Sequence, residues 1–170
     1  MVQVSEGSLV PRTDFSRMGC PIARSMEVLG ERWAILVMRE AFYGTTRFDD
    51  FARHLGIASN ILSARLAKLV EHGLLERVPE GARHAYRLTE KGRDFFPAFL
   101  ALKRWSDRWM APEGQVVRLV DRNTGKEVTV PPPFGADGAP LNPESVRLLP
   151  GPGAGEAMRR RLALAEMSRG

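Results

Sequence analysis

Two short runs of helical periodicity separated by only three residues constrain this chain more than any other feature. Phe48, Phe51 and Leu55 recur at helical spacing, and so do Leu62, Leu66 and Leu69, with Val70 at the border of the second stripe. Between them stand Gly56, suited to the left-handed conformation that ends a helix, and the turn residues Ile57 and Ala58. Thr46 followed by Asp49 has the form of a capping box with Asp in the Glu position, and Ser59 is placed to cap the second helix, which runs to about His72. Helix, tight turn and helix at this spacing predict a helix-turn-helix.

The flanking segments extend that reading. Upstream, Pro21 opens a helix carrying Ile22, Met26 and Leu29, Gly30 stops it, and a second helix over about 31–42 offers Trp33, Leu36, Val37 and Phe42 to a core. Downstream, residues 74–78 and 83–88 read as strands joined by a turn over 79–82, a hairpin in the position of a wing. Thr89 then caps a long helix from Glu90 to about Met110, bent early by Pro97. Its Phe95, Phe96, Phe99, Leu100, Leu102, Trp105 and Trp109 cover more than one face. A helix apolar on two sides needs two partners, so Phe99, Leu102, Trp105 and Trp109 are candidate contacts to a second copy of the chain.

The expected fold class is therefore mainly α with a small β-wing: a winged helix-turn-helix over residues 20–110 with a long C-terminal dimerisation helix. An N-terminal arm occupies 1–19. Residues 111–170 form an extension with a short hairpin around 121–126, Pro- and Gly-rich punctuation and a final helix over 156–167.

Composition narrows the function classes. The formal charge is +5, and residues 47–93 hold nine Lys or Arg against six Asp or Glu together with all three histidines, which favours an anionic partner at this part of the chain. Cys20 is the sole cysteine, so neither an intrachain disulfide nor a cysteine-based zinc cluster can form. His54, His72 and His84 lack metal-ligand spacing, and neither metal nor cofactor is expected; His72 and His84 instead offer weak pH sensitivity near DNA. No segment has the length or apolarity of a signal peptide or membrane span, so a cytoplasmic protein with no membrane partner is expected. Glycine-rich phosphate loops, HExxH and GxSxG are absent, which argues against an enzyme.

With Leu62, Leu66 and Leu69 turned inward, a helical wheel leaves Asn60, Ile61, Ala64 and Lys68 outward. Asn60 suits an adenine edge, Ile61 and Ala64 suit thymine methyls, and Ser59, Ser63, Arg65 and Lys68 suit phosphates or the groove border. Arg83 and Arg87 on the wing, and Arg47 before the third helix, are further phosphate candidates. A solvated amphipathic helix with surface ion pairs accounts for the same residues without DNA.

The ordered series Cys20-Pro21-Ile22, Leu29-Gly30-Glu31-Arg32-Trp33, Leu36-Val37-Met38-Arg39-Glu40, Arg47-Phe48, Ile57 to Leu66, Gly73-Leu74-Leu75-Glu76 and Tyr86-Arg87-Leu88-Thr89-Glu90-Lys91-Gly92 resembles the HxlR-type family of bacterial winged-helix regulators. The resemblance implies a homodimer joined through terminal helices, a recognition helix in the major groove of double-stranded DNA, and repression or activation at a near-palindromic operator. The chain departs from the family in a shorter wing turn and in Ser106, where glycine is common. Cysteine-based sensing in some relatives suggests Cys20, at a helix N-terminus, as a redox or electrophile sensor; a small buried residue at the arm junction is the competing reading. A small-molecule or electrophile effector fits the family. The rival function is a ligand-binding or protein-interaction module that keeps the scaffold without reading DNA.

Overall fold

The computed structural model describes residues 14–167; of the arm expected over 1–19, residues 1–13 lie outside this range. The order of elements is α1 (Pro21–Leu29), α2 (Ala34–Phe42), α3 (Phe48–Leu55), α4 (Ser59–Glu71), β1 (Leu75–Glu80), β2 (Arg83–Leu88), α5 (Glu90–Asp94), α6 (Phe96–Met110) and α7 (Glu156–Met167). It is mainly helical with one antiparallel hairpin, a winged helix-turn-helix followed by an extension. Among the described residues no helix is long and apolar enough to cross a membrane.

The core forms where the periodicities meet. Leu62, Leu66 and Leu69 of α4 are buried with Val37 and Met38 of α2, Phe51 of α3 and Leu75 of β1. Burial of one such side chain is worth about 1.5–3 kcal/mol, so this cluster fixes how α4 rolls on its neighbours. Gly56 takes the left-handed conformation at φ 59° that lets α3 end and the chain turn into α4.

Local start signals differ from the sequence expectation in three places. α3 is preceded by Arg47 with no side-chain cap, because Thr46 turns its carbonyl to the Tyr86 N–H (2.8 Å) and ties the wing to the helix pair. The capping box of Thr46 and Asp49 does not form. Ser59 is the first residue of α4, and the position before it belongs to Ala58, which has no side-chain oxygen to cap with. α2 begins at Ala34, after a turn in which Ala34 N–H donates to Glu31 O (2.9 Å).

The hairpin closes more tightly than a four-residue turn over 79–82. Glu80 pairs with Arg83 and Val78 with Ala85, leaving only Gly81 and Ala82 in the turn, with Gly81 at φ 62°. The long helix expected from Glu90 divides at Phe95 into α5 and α6, with Pro97 in the first turn of α6, where its missing N–H does least harm. Phe42 of α2 anchors the start of α6 through Phe96 and Phe99, with ring centroids 5.1 and 5.0 Å away.

In the extension, the expected hairpin reduces to a single bridge, Val120 to Glu127, around a turn in which Gly125 N–H donates to Asp121 O (2.8 Å). Val116, which would extend the first strand, lies almost fully exposed. The last helix occupies the expected span.

Thr89 and Gly92 lock the wing to α5. Thr89 accepts the Gly92 N–H (3.0 Å) and donates to the Gly73 carbonyl (2.6 Å). Gly92 is buried so closely that a Cβ there would stand 2.0 Å from the Leu74 carbonyl oxygen. Gly92→Ala is expected to destabilise the protein by about 1–3 kcal/mol, because neighbouring backbone must shift to admit one methyl group. A denaturant midpoint unchanged from wild type would show that this contact is not tight.

Candidate nucleic-acid interface

The leucine stripe leaves the opposite face of α4 in solvent. Ser59, Asn60, Ile61, Ser63, Ala64 and Ala67 are all exposed, and all are uncharged. With no side-chain cap at its N-terminus, α4 presents the amides of its first turn without a competing oxygen, a disposition that favours an anionic partner.

Lys68 sits elsewhere than the wheel suggests, and Arg65, expected at phosphates or the groove border, lies with it. Arg65 Nη2 lies 2.7 Å from Glu31 Oε2, and Lys68 Nζ lies 3.0 Å from Glu27 Oε1 and 3.9 Å from Glu31 Oε1. Both cations are about one-fifth exposed and turn toward the corner between α1 and α2 rather than outward. The wheel misplaces Lys68 because a long side chain reaches wherever a partly buried carboxylate draws it, a partner that α4 alone does not display.

The wing stands beside α4, and together they border a concavity of about 860 Å³ whose charged lining is Arg47, Arg77 and Arg83 with the acidic Asp49 and Glu71. Its cations are held loosely. Arg83 pairs with Asp49 at 3.4 Å, and Glu80 takes both Arg47 (2.9 Å) and Arg87 (3.1 Å), each pair between partly or largely exposed groups. Arg47 Nη1 is buried with no hydrogen-bond partner among the described residues. Arg77 donates to His84 Nδ1 at 3.1 Å. Sequence reasoning placed His84 near DNA but did not mark Arg77, because the register that sets Arg77 opposite Tyr86 depends on the two-residue turn.

The remaining candidates separate by burial. Phe99 is 4% exposed and packs within its own chain against Phe42 and Phe96, which corrects its grouping with partner-facing residues. Leu102, Trp105 and Trp109 are 40%, 51% and 63% exposed. The extension packs on α6 as well: Arg104 donates to the Val130 carbonyl, and Leu119 with residues 127–132 faces Leu100, Lys103, Asp107 and Arg108 across a cleft. No residue from 111 to 167 is fully buried. Cys20 precedes α1 as a partly exposed free thiol whose side chain caps nothing. Among the described residues, no three His, Cys, Asp or Glu side chains gather where they would hold a metal ion.

A family model described as HxlR-like helix-turn-helix matches residues 28–114. An uncharacterised HTH-type transcriptional regulator of Mycobacterium tuberculosis, Rv3095, is 46% identical over 112 residues, which cover 64% of this chain and 71% of the relative. The crystal structure of PA1607, proposed to be a transcription factor, superposes with a TM-score of 0.74 at 43% identity and covers 81% of this chain and 99% of that one. A second structure, PA1374 from Pseudomonas aeruginosa, also proposed to be a transcription factor, gives 0.57 at 46% identity over 84% and 99%. The two structural matches span more of the chain than the winged helix supplies, so the likeness extends into residues beyond 110.

Proposed function

Since this chain belongs to the HxlR-like helix-turn-helix family, we propose that it acts as a homodimeric, DNA-binding transcriptional regulator that reads a near-palindromic operator. The observation that carries the reading is the uncharged, exposed face of α4 from Ser59 to Ala67 standing next to a wing-side concavity in which three arginines outnumber Asp49 and Glu71. α4 enters the major groove with Asn60, Ile61 and Ala64 against base edges, and Ser59 and Ser63 lie at the groove border. The wing arginines Arg83 and Arg87, with Arg47, take phosphates in exchange for their exposed carboxylate partners. Surface pairs of that kind are worth only about 0–1 kcal/mol, so a phosphate displaces the carboxylate at little cost.

Two copies are joined through α6. Leu102, Trp105 and Trp109 form an apolar row that the described residues leave 40–63% exposed, and the extension carries further exposed apolar side chains at Val117, Val120 and Val128. A second copy is the simplest cover for so much apolar surface.

Asn60→Ala is expected to cost about 1–3 kcal/mol of affinity at one base position while leaving other positions unaffected, read by competition among single-base variants of a bound duplex. A uniform loss across all positions would remove Asn60 from base readout. The double variant Leu102→Glu, Trp105→Glu is expected to sediment as a folded monomer and to lose duplex binding with it, since two unpaired charges cannot be buried in the joint. Retention of the dimer would place the interface elsewhere.

A further inference from the structure

The basic side chains of α4, of the wing and of Arg47 fall into two populations with different environments. Those of the wing and of Arg47 pair across exposed gaps with side chains 37–76% exposed. Those of α4 pair with Glu27 and Glu31, and there every participating side chain is only 12–21% exposed. Arg65 and Lys68 are three residues apart on one flank of α4, and the two carboxylates come from α1 and from the turn that follows it. Glu27 is shared further: its Oε2 accepts the Phe15 N–H (3.3 Å) while its Oε1 holds Lys68.

A partly buried network of this kind does not exchange its partner for a phosphate as an exposed pair does. Removing either member leaves the other charge desolvated and uncompensated. We propose that Glu27 and Glu31 are positioning residues of the recognition helix: they divert Arg65 and Lys68 into a brace that fixes the roll of α4. α4 then reads DNA through the uncharged part of its exposed face, Ser59 to Ala67, and the salt-dependent share of binding belongs to Arg47, Arg77, Arg83 and Arg87. This rests on the DNA-reading function proposed above. It reverses the expectation that Arg65 and Lys68 are phosphate contacts, and it joins the segment before α1 to the reading surface through a single carboxylate.

The test uses the full-length protein and two duplexes of equal length: one of random sequence, and one enriched from a random library by the wild-type protein. Affinity for each is measured across a salt series for wild type, Lys68→Met, Glu27→Gln and the charge swap Glu27→Lys, Lys68→Glu. Each neutralised phosphate contributes about 0.9 to the slope of log affinity against log salt. The brace predicts that Lys68→Met keeps the wild-type slope on random duplex. It also predicts that both single variants lower the enriched-to-random affinity ratio about tenfold or more, and that the swap restores the ratio to within about threefold of wild type. If the single variants fail to fold, the swap alone decides, because it puts a carboxylate at position 68 and would abolish binding if that position faced phosphate. The proposal is overturned by a slope lower by about one unit in Lys68→Met. It is equally overturned by tighter binding of both duplexes in Glu27→Gln, the result expected if Glu27 merely competes with DNA for Lys68. A wild-type protein that enriches no sequence at all would instead overturn the DNA-reading function on which the brace depends.

Discussion

The burial of Leu62, Leu66 and Leu69 against Val37, Met38 and Phe51 is the contact on which the rest of this protein depends. A helix with one apolar stripe can lie on its core at one roll angle, and that angle decides which side chains remain in solvent. Here it sends Asn60, Ile61 and Ala64 outward and brings Arg65 and Lys68 to the flank where Glu27 and Glu31 stand. Apolar burial provides the energy, while the partly buried ion pairs restrict the angle, since charged partners tolerate less displacement than a greasy interface. The wing is registered to the same frame by backbone contacts: Tyr86 N–H to the Thr46 carbonyl, and Thr89 to Gly73.

Electrostatics then divides the labour. Every arginine and lysine that sequence alone assigned to DNA has a carboxylate partner within its own chain, so the presence of a partner does not discriminate. Exposure does. Water and salt screen the wing pairs, whose net worth is small, whereas the pairs of α4 sit where solvent competes poorly. A surface built this way places loosely paired cations beside the uncharged face of Ser59 to Ala67. Under the function proposed above, non-specific attraction and base discrimination fall to different elements, in keeping with the general rule that phosphate contacts position and base contacts specify.

Much of this was legible from residue order. The leucine stripe, the turning glycine at position 56 and the threonine cap at position 89 each have a local cause, and the helix pair with its wing followed from them. What stayed hidden was decided by partners distant in sequence. Thr46 looks like a cap until the wing claims its carbonyl, and Lys68 looks solvent-facing until α1 supplies Glu27, 41 residues away. Phe99 looks like one more member of an apolar face until Phe42 covers it. The break at Phe95 and the reduced hairpin at Val120 and Glu127 have a related origin, since periodicity describes a segment's preference and not the surface available to satisfy it.

The central claim is that α4 and the wing of a two-fold dimer read duplex DNA, and selection from a random duplex library by the wild-type protein tests it most directly. The account predicts enrichment of an inverted repeat whose half-sites are centred about 10–10.5 base pairs apart, or a multiple of that, because two recognition helices related by a two-fold axis must reach successive major grooves on one side of the duplex. Recovery of sequences with no shared motif, at salt concentrations where the protein still binds DNA, would contradict it.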